Sequence, residues 1–81
     1  MVMLVHVKLF ATLARFSGGV PAGTFFDVEV PEGSVLEDFV NQLGIPPEET
    51  RIAFVNGVIQ SMDCTLKAGD EIGIFPPIGG G

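Results

Sequence analysis

Only one segment of this chain carries a helical repeat long enough to form a full helix, and that limits the folds open to it. Val35, Leu36, Phe39, Val40 and Leu43 recur at the spacing that lines up one helix face. Ser34-Val35-Leu36-Glu37 reads as a capping box, in which the serine oxygen and the glutamate carboxylate satisfy free backbone donors. Gly44 supplies the stop. Most of the remaining sequence has strand character. Val2 to Phe10 alternates, with Val5, Val7 and Leu9 on one face and His6 and Lys8 on the other. Thr24 to Val30 points Phe26, Val28 and Val30 inward and Asp27 and Glu29 outward. Arg51 to Val55 and Val58 to Gln60 flank Asn56-Gly57, a strong two-residue hairpin signal. Glu71 to Phe75 is the last strand, preceded by an irregular stretch, Ser61 to Leu66, and a turn at Lys67-Ala68-Gly69-Asp70. Ala11 to Phe16 makes only a short helical turn, ended by Ser17-Gly18-Gly19.

With 81 residues and one helix, the α+β solution is a mixed sheet covered on one face. The expected architecture is a β-grasp (ubiquitin-like) fold of four to five strands under one main helix. Its first and last strands lie parallel at the centre, linked by the helix crossover. A ferredoxin-like fold would need a second full-length helix. The expected organisation is one β-grasp domain over residues 1–75 and a flexible C-terminal tail over 76–81.

Composition narrows the function. The chain is 47% hydrophobic, enough for a real core, and its apolar runs are too short to span a bilayer, so a soluble cytoplasmic protein is expected. Cys64 is the single cysteine, which excludes a disulfide framework, a cysteine metal cluster and the iron–sulfur chemistry of β-grasp ferredoxins. A net charge of −6 argues against nucleic acid as a partner and suits a protein with a basic docking face.

The ending, Phe75-Pro76-Pro77-Ile78-Gly79-Gly80-Gly81, couples an apolar anchor to two stiff prolines and then to residues without side chains. From Pro76 onward it could reach about 20 Å when extended, at roughly 3.3 Å per residue. Such a segment can carry a terminal carboxylate into a narrow slot on another protein. The alternative is a disordered stub.

The opening Val7-Lys8-Leu9-Phe10-Ala11-Thr12-Leu13-Ala14-Arg15, the hairpin Val55-Asn56-Gly57 and the ending Gly69-Asp70-Glu71-Ile72 with Phe75 to Gly81 together carry a resemblance. The sequence resembles the MoaD/ThiS family of ubiquitin-like sulfur carriers, and its ending is closer to the molybdopterin synthase small subunit than to the thiamine branch. The resemblance implies that Gly81 is the reactive residue. A ubiquitin-activating-type adenylyltransferase, using ATP and magnesium, would adenylate it, and a sulfur donor protein would convert it to a thiocarboxylate. The chain itself would bind no cofactor. Gly79, Gly80 and Gly81 would enter the active site of the molybdopterin synthase large subunit, with which the chain would form a heterotetramer, and the sulfur would go to the molybdenum or tungsten cofactor. Gly79 stands where that branch usually has alanine or serine. A carrier for thiamine or cysteine synthesis, a protein modifier conjugated through Gly81, and a β-grasp binding module without chemistry remain alternatives.

Phe75 has parity opposite to Ile72 and Ile74, so it is expected on the open sheet face with Phe10 as a docking patch; the alternative puts it under the rim of the core. Pro76, Pro77 and Ile78 would continue that docking surface. His6 reads as structural, Cys64 as a partly buried packing residue, and Lys8, Arg15 and Arg51 as solvated charges. Asp70 and Glu71 read as turn chemistry and surface acid.

Overall fold

Strand β1, Val2–Leu9, buries alternate residues: Met3, Val5, Val7 and Leu9 point into the core. The computed structural model describes residues 1–46, 48, 50 and 52–76. A 3-10 helix at Ala11–Phe16 follows and sinks Leu13 beneath the sheet. Strand β2, Phe26–Pro31, returns antiparallel to β1, pairing Met3 with Val30, Val5 with Val28 and Val7 with Phe26. Helix α1, Leu36–Gln42, then crosses one face. Strands β3 (Ile52–Val55) and β4 (Val58–Gln60) form a hairpin, and β5 (Glu71–Phe75) completes the sheet.

The strand order is β2-β1-β5-β3-β4, with β1 and β5 parallel at the centre and every other pair antiparallel. This is the β-grasp arrangement, a mixed five-stranded sheet with one main helix. The core lies between sheet and helix: Leu36, Phe39 and Val40 of α1 meet Val5, Val7, Ile72 and Ile74 of the central strands, with Leu13, Ile45 and Leu66 closing the ends. Asn56 and Gly57 both take positive φ, +54° and +84°, as the two-residue hairpin turn requires.

The start of α1 departs from the capping-box expectation. Ser34 is buried and its hydroxyl donates to the Pro31 carbonyl at 2.7 Å instead of capping the helix, while Asp38, not Glu37, accepts from the Val35 N–H at 3.3 Å. The free helix donors are satisfied from a distance. Leu36 N–H reaches the Cys64 carbonyl at 2.9 Å, Glu37 N–H reaches that of Met62 at 2.8 Å, and Leu66 N–H returns a bond to Ser34 O at 2.9 Å. The irregular stretch before β5 thus supplies the cap that the local sequence was expected to supply.

Asp70 also differs from its reading as surface acid. It is buried, and its two carboxylate oxygens accept from Asn56 Nδ2 at 3.0 Å and from Lys67 N–H at 2.8 Å. Asn56 Oδ1 in turn accepts from Glu71 N–H at 3.0 Å, so the β3–β4 turn is tied to the start of β5. Glu71 is exposed as expected.

Candidate functional site

Alternation along the strands leaves the sheet face opposite α1 with its own pattern. Register places Lys8, Gly73, Phe54 and Ile59 in one row across β1, β5, β3 and β4. Phe10 follows β1 and extends its pairing, its N–H donating to the Ile74 carbonyl at 3.1 Å. Its ring stacks on Phe75 with centroids 4.1 Å apart and planes 4° from parallel. Phe54 meets Phe75 edge-on, at 5.3 Å and 67°. Phe75 is therefore the centre of the cluster, held between two rings.

Gly73 lies at the floor of this arrangement. A methyl group there would meet the Phe10 ring at 3.4 Å and the Phe75 ring at 3.8 Å, so glycine keeps the floor low where the rings come together. The result is an open groove of about 270 Å³ lined by Lys8, Phe10, Phe25, Phe54 and Phe75 around Gly73. That is less than most small-molecule sites, which run to roughly 300–1,000 Å³. It suits one or two side chains of another protein. Ile59, 63% exposed, continues the apolar surface toward the β4 edge.

Lys8 is half-buried and does not behave as an ordinary solvated charge. Its Nζ lies 4.3 Å from the centroid of Phe25 and 5.9 Å from that of Phe10, so the ring faces draw the ammonium over the aromatic cluster. Arg15 similarly lies over Phe16 at 4.6 Å and donates to Thr12 O. His6 and Asp27 pair across β1 and β2, Nδ1 to Oδ1 at 2.6 Å, in a partly exposed contact that fits the structural reading of His6 and contributes at most about 1 kcal/mol. Cys64 is half-buried and packs against the core.

Phe75 is also the last strand residue before Pro76, and its carbonyl accepts a hydrogen bond from the buried Thr50 hydroxyl at 3.2 Å. Pro76 is half-buried. The expectations for Pro77, Ile78, Gly79, Gly80, Gly81 and Arg51 lie outside the described residues. Of the sequence-derived docking residues, the structure brings Phe10 and Phe75 together and puts Pro76 next to them. Sequence reasoning missed Phe25, Phe54, Ile59, Gly73 and Thr50. A two-residue turn at Asn56-Gly57 pairs Phe54 with Ile59 opposite in parity to Ala53 and Val55, so those two were readable. No sequence signal singles out Thr50.

Among the described residues no three His, Cys, Asp or Glu side chains gather to hold a metal ion, and no helix is long and apolar enough to cross a membrane. What the face offers is apolar contact, one positioned cation and a strand end held on several sides.

Comparison with known proteins gives three findings. The ThiS family model matches residues 7–81. Among solved structures, the chain is similar to a Pyrococcus furiosus protein assigned as molybdopterin converting factor, subunit 1, at 28% identity and TM-score 0.71, covering 94% of this chain and 99% of that one. It is also similar to the small archaeal modifier protein 1 of Haloferax volcanii, at 25% identity and TM-score 0.68, covering 96% and 99%. The modifier protein of the same name from Methanosarcina acetivorans, at 24% identity and TM-score 0.70 over 100% and 99% of the two chains, shares the fold. No curated protein gives a match.

Proposed function

The chain belongs to the ThiS family, and from that premise we propose that it is a sulfur carrier acting through the carboxylate of Gly81, as the small subunit of a molybdopterin synthase. The observation that carries this reading is the extent of the family match, which runs through Gly81 and takes in all of Phe75 to Gly81. The likeness to the Pyrococcus furiosus converting factor favours the molybdopterin branch. In this reading residues 1–75 are the folded body that docks, and 76–81 the tail that reacts.

A free carboxylate is a poor acyl donor, so it must first gain a leaving group. A Gly81 oxygen attacks the α-phosphorus of ATP held with magnesium by a ubiquitin-activating-type adenylyltransferase, forming the acyl-adenylate and releasing pyrophosphate. The persulfide of a sulfur donor protein attacks the acyl carbon and expels AMP. A second thiolate then removes the donor's own sulfur by disulfide exchange, and the thiocarboxylate remains on Gly81. Gly79, Gly80 and Gly81 carry that group into the large synthase subunit, in a heterotetramer, where the sulfur passes to the pterin precursor. Gly80 and Gly81 have no side chain to exclude them from a tight channel.

Docking falls to the open sheet face. Phe10 and Phe75 offer the apolar anchor, Pro76, Pro77 and Ile78 continue it, and Lys8 offers a cation to a partner carboxylate. The net charge of −6 favours a partner whose rim is basic. A modifier role, with Gly81 joined to lysines of other proteins, is the second reading, favoured by the likeness to the Haloferax volcanii modifier protein.

Intact mass spectrometry separates these readings. Incubation with the activating enzyme of the same organism, magnesium ATP and a sulfur donor should add the mass of one oxygen-to-sulfur exchange. Gly-Gly remnants on lysines of other proteins, without that exchange, would favour the modifier. Neither product from an active enzyme preparation sinks both.

A further inference from the structure

Three polar side chains are buried among the described residues: Ser34, Thr50 and Asp70. Ser34 and Asp70 each close a turn. Thr50 does something different. Its hydroxyl reaches from the residues before β3 to the carbonyl of Phe75, the last residue of β5, twenty-five positions along the chain. The β3–β5 ladder ends at the Ile52–Phe75 pair, and Pro76 brings no N–H with which to extend it. The Thr50 hydroxyl takes the Phe75 carbonyl at the point where backbone pairing stops. We infer that Thr50 is a positioning residue for the tail, fixing the direction in which residues 76–81 leave the sheet toward a partner. This rests on the proposed role of Gly81.

Phe75 is held from three sides. Its ring is stacked on Phe10 and met edge-on by Phe54, and its carbonyl is bonded to Thr50. The preceding carbonyl, Ile74 O, is taken by Phe10 N–H. Ring contacts fix where Phe75 sits; they leave the Phe75–Pro76 peptide plane able to rotate. The hydroxyl acts on that plane. Because Pro76 restricts Phe75 to extended backbone, orienting the Phe75 carbonyl also sets the first step of the tail.

This bond is made before any partner arrives. Losing it leaves the bound state unaltered and widens the set of tail directions in the unbound protein, so more ordering must occur on binding. The kinetic signature is a raised KM for the carrier with kcat unchanged. One hydrogen bond of ordinary strength corresponds to roughly a fivefold rise in KM.

The test is ATP–pyrophosphate exchange by the activating adenylyltransferase of the same organism, with the full-length chain as the varied substrate and all variants held well below their melting temperatures. Thr50→Val keeps the shape and removes the hydroxyl; its KM should rise about fivefold at wild-type kcat. Thr50→Ser keeps the hydroxyl and loses a methyl group. It should melt lower than wild type yet keep the wild-type KM, which a purely structural role for Thr50 does not predict. Should the valine variant not fold, Thr50→Cys, of similar volume and with a far weaker donor, takes its place with the same expectation. A valine or cysteine variant with wild-type KM overturns the inference, as does a serine variant whose KM follows its stability. A chain lacking Gly80 and Gly81 should support no exchange. If the wild-type chain supports none either, the reactive-terminus reading fails, and the role of Thr50 falls with it.

Discussion

Phe75 touches two rings, whereas the stacking and edge contacts give Phe10 and Phe54 one each within this trio. Truncation of the three should therefore rank unequally. An aromatic pair contributes about 1 kcal/mol beyond its buried area, so Phe75→Ala loses about 2 kcal/mol from pairing and about 1 more from apolar burial of a partly covered ring. Phe10→Ala and Phe54→Ala should each cost about 2 kcal/mol in total. The sharper quantity is the coupling. In a double-mutant cycle of Phe10→Ala and Phe75→Ala, measured by urea denaturation, the pair should show an interaction of about 1 kcal/mol. The same variants test docking in titration calorimetry against the large synthase subunit, where loss of a central anchor should weaken binding by about 2 kcal/mol or more, near thirtyfold. A coupling below about 0.3 kcal/mol, the range expected for independent sites, would refute the stack as a stabilising contact in solution. Unchanged affinity on Phe75→Ala would refute the docking face while leaving the fold untouched.

Asp70→Ala strands two donors that now end on a buried carboxylate, Asn56 Nδ2 and Lys67 N–H, and should destabilise the protein by about 3 kcal/mol; Asp70→Asn, which keeps one acceptor, should lose about half as much by the same denaturation assay. Gly57 and Gly73 should separate backbone strain from surface shape. At Gly57, φ is +84° and a methyl group would meet no atom within 4 Å, so Gly57→Ala should cost about 1 kcal/mol through backbone strain alone. At Gly73 the methyl would sit in ordinary contact with Phe10 and Phe75, so Gly73→Ala should leave the melting temperature nearly unchanged while raising the groove floor and weakening binding to the large subunit. A synthetic peptide of Phe75 to Gly81 contains the reacting carboxylate without the sheet face. It should have a KM for adenylation at least about a hundredfold above that of the whole chain, and a peptide equal to the whole chain would remove any role for docking in activation.

The strand periods were legible because each strand has one face in the core, and a one-residue slip would expose Val5, Val7 and Leu9 together. The same parity argument put Phe75 opposite Ile72 and Ile74, where the structure has it, on the open face with Phe10. What was not legible depends on partners distant in sequence. The α1 cap was sought in Ser34 and Glu37, four adjacent positions, but the carbonyls that satisfy Leu36 and Glu37 come from Cys64 and Met62. Local motif reasoning has no access to a donor–acceptor pair closed by tertiary structure. Ala11 is a further case: its φ of +53° is unusual for a residue with a Cβ, and nothing in Phe10-Ala11-Thr12 announces it. The turn is imposed from both sides, since Phe10 is committed to the open face by Phe75 and Leu13 to the core beneath. Lys8 was read as solvated because its neighbours in sequence are apolar strand residues; the rings that hold it come from β-strand neighbours and from Phe25 just before β2.

These features bear on why a chain of 81 residues would keep apolar surface on both sides of its sheet. One side is used by α1, and the stability of a domain this small depends on that burial. The other side presents Phe10, Phe54, Phe75 and Ile59 where a self-sufficient domain would place polar residues. A face of that kind promotes self-association unless charge opposes it, and the excess of ten acidic over four basic residues supplies repulsion between copies while favouring a basic partner. Recognition and chemistry are then assigned to different parts of the molecule. The rigid face selects the partner, Thr50 and the three rings fix the strand end, and the proline-led tail needs no recognition groups of its own. This division explains how a terminus made of glycine, the residue with the least to recognise, can still be delivered to one enzyme and not another: the specificity resides upstream of Pro76, in contacts that are already formed before docking.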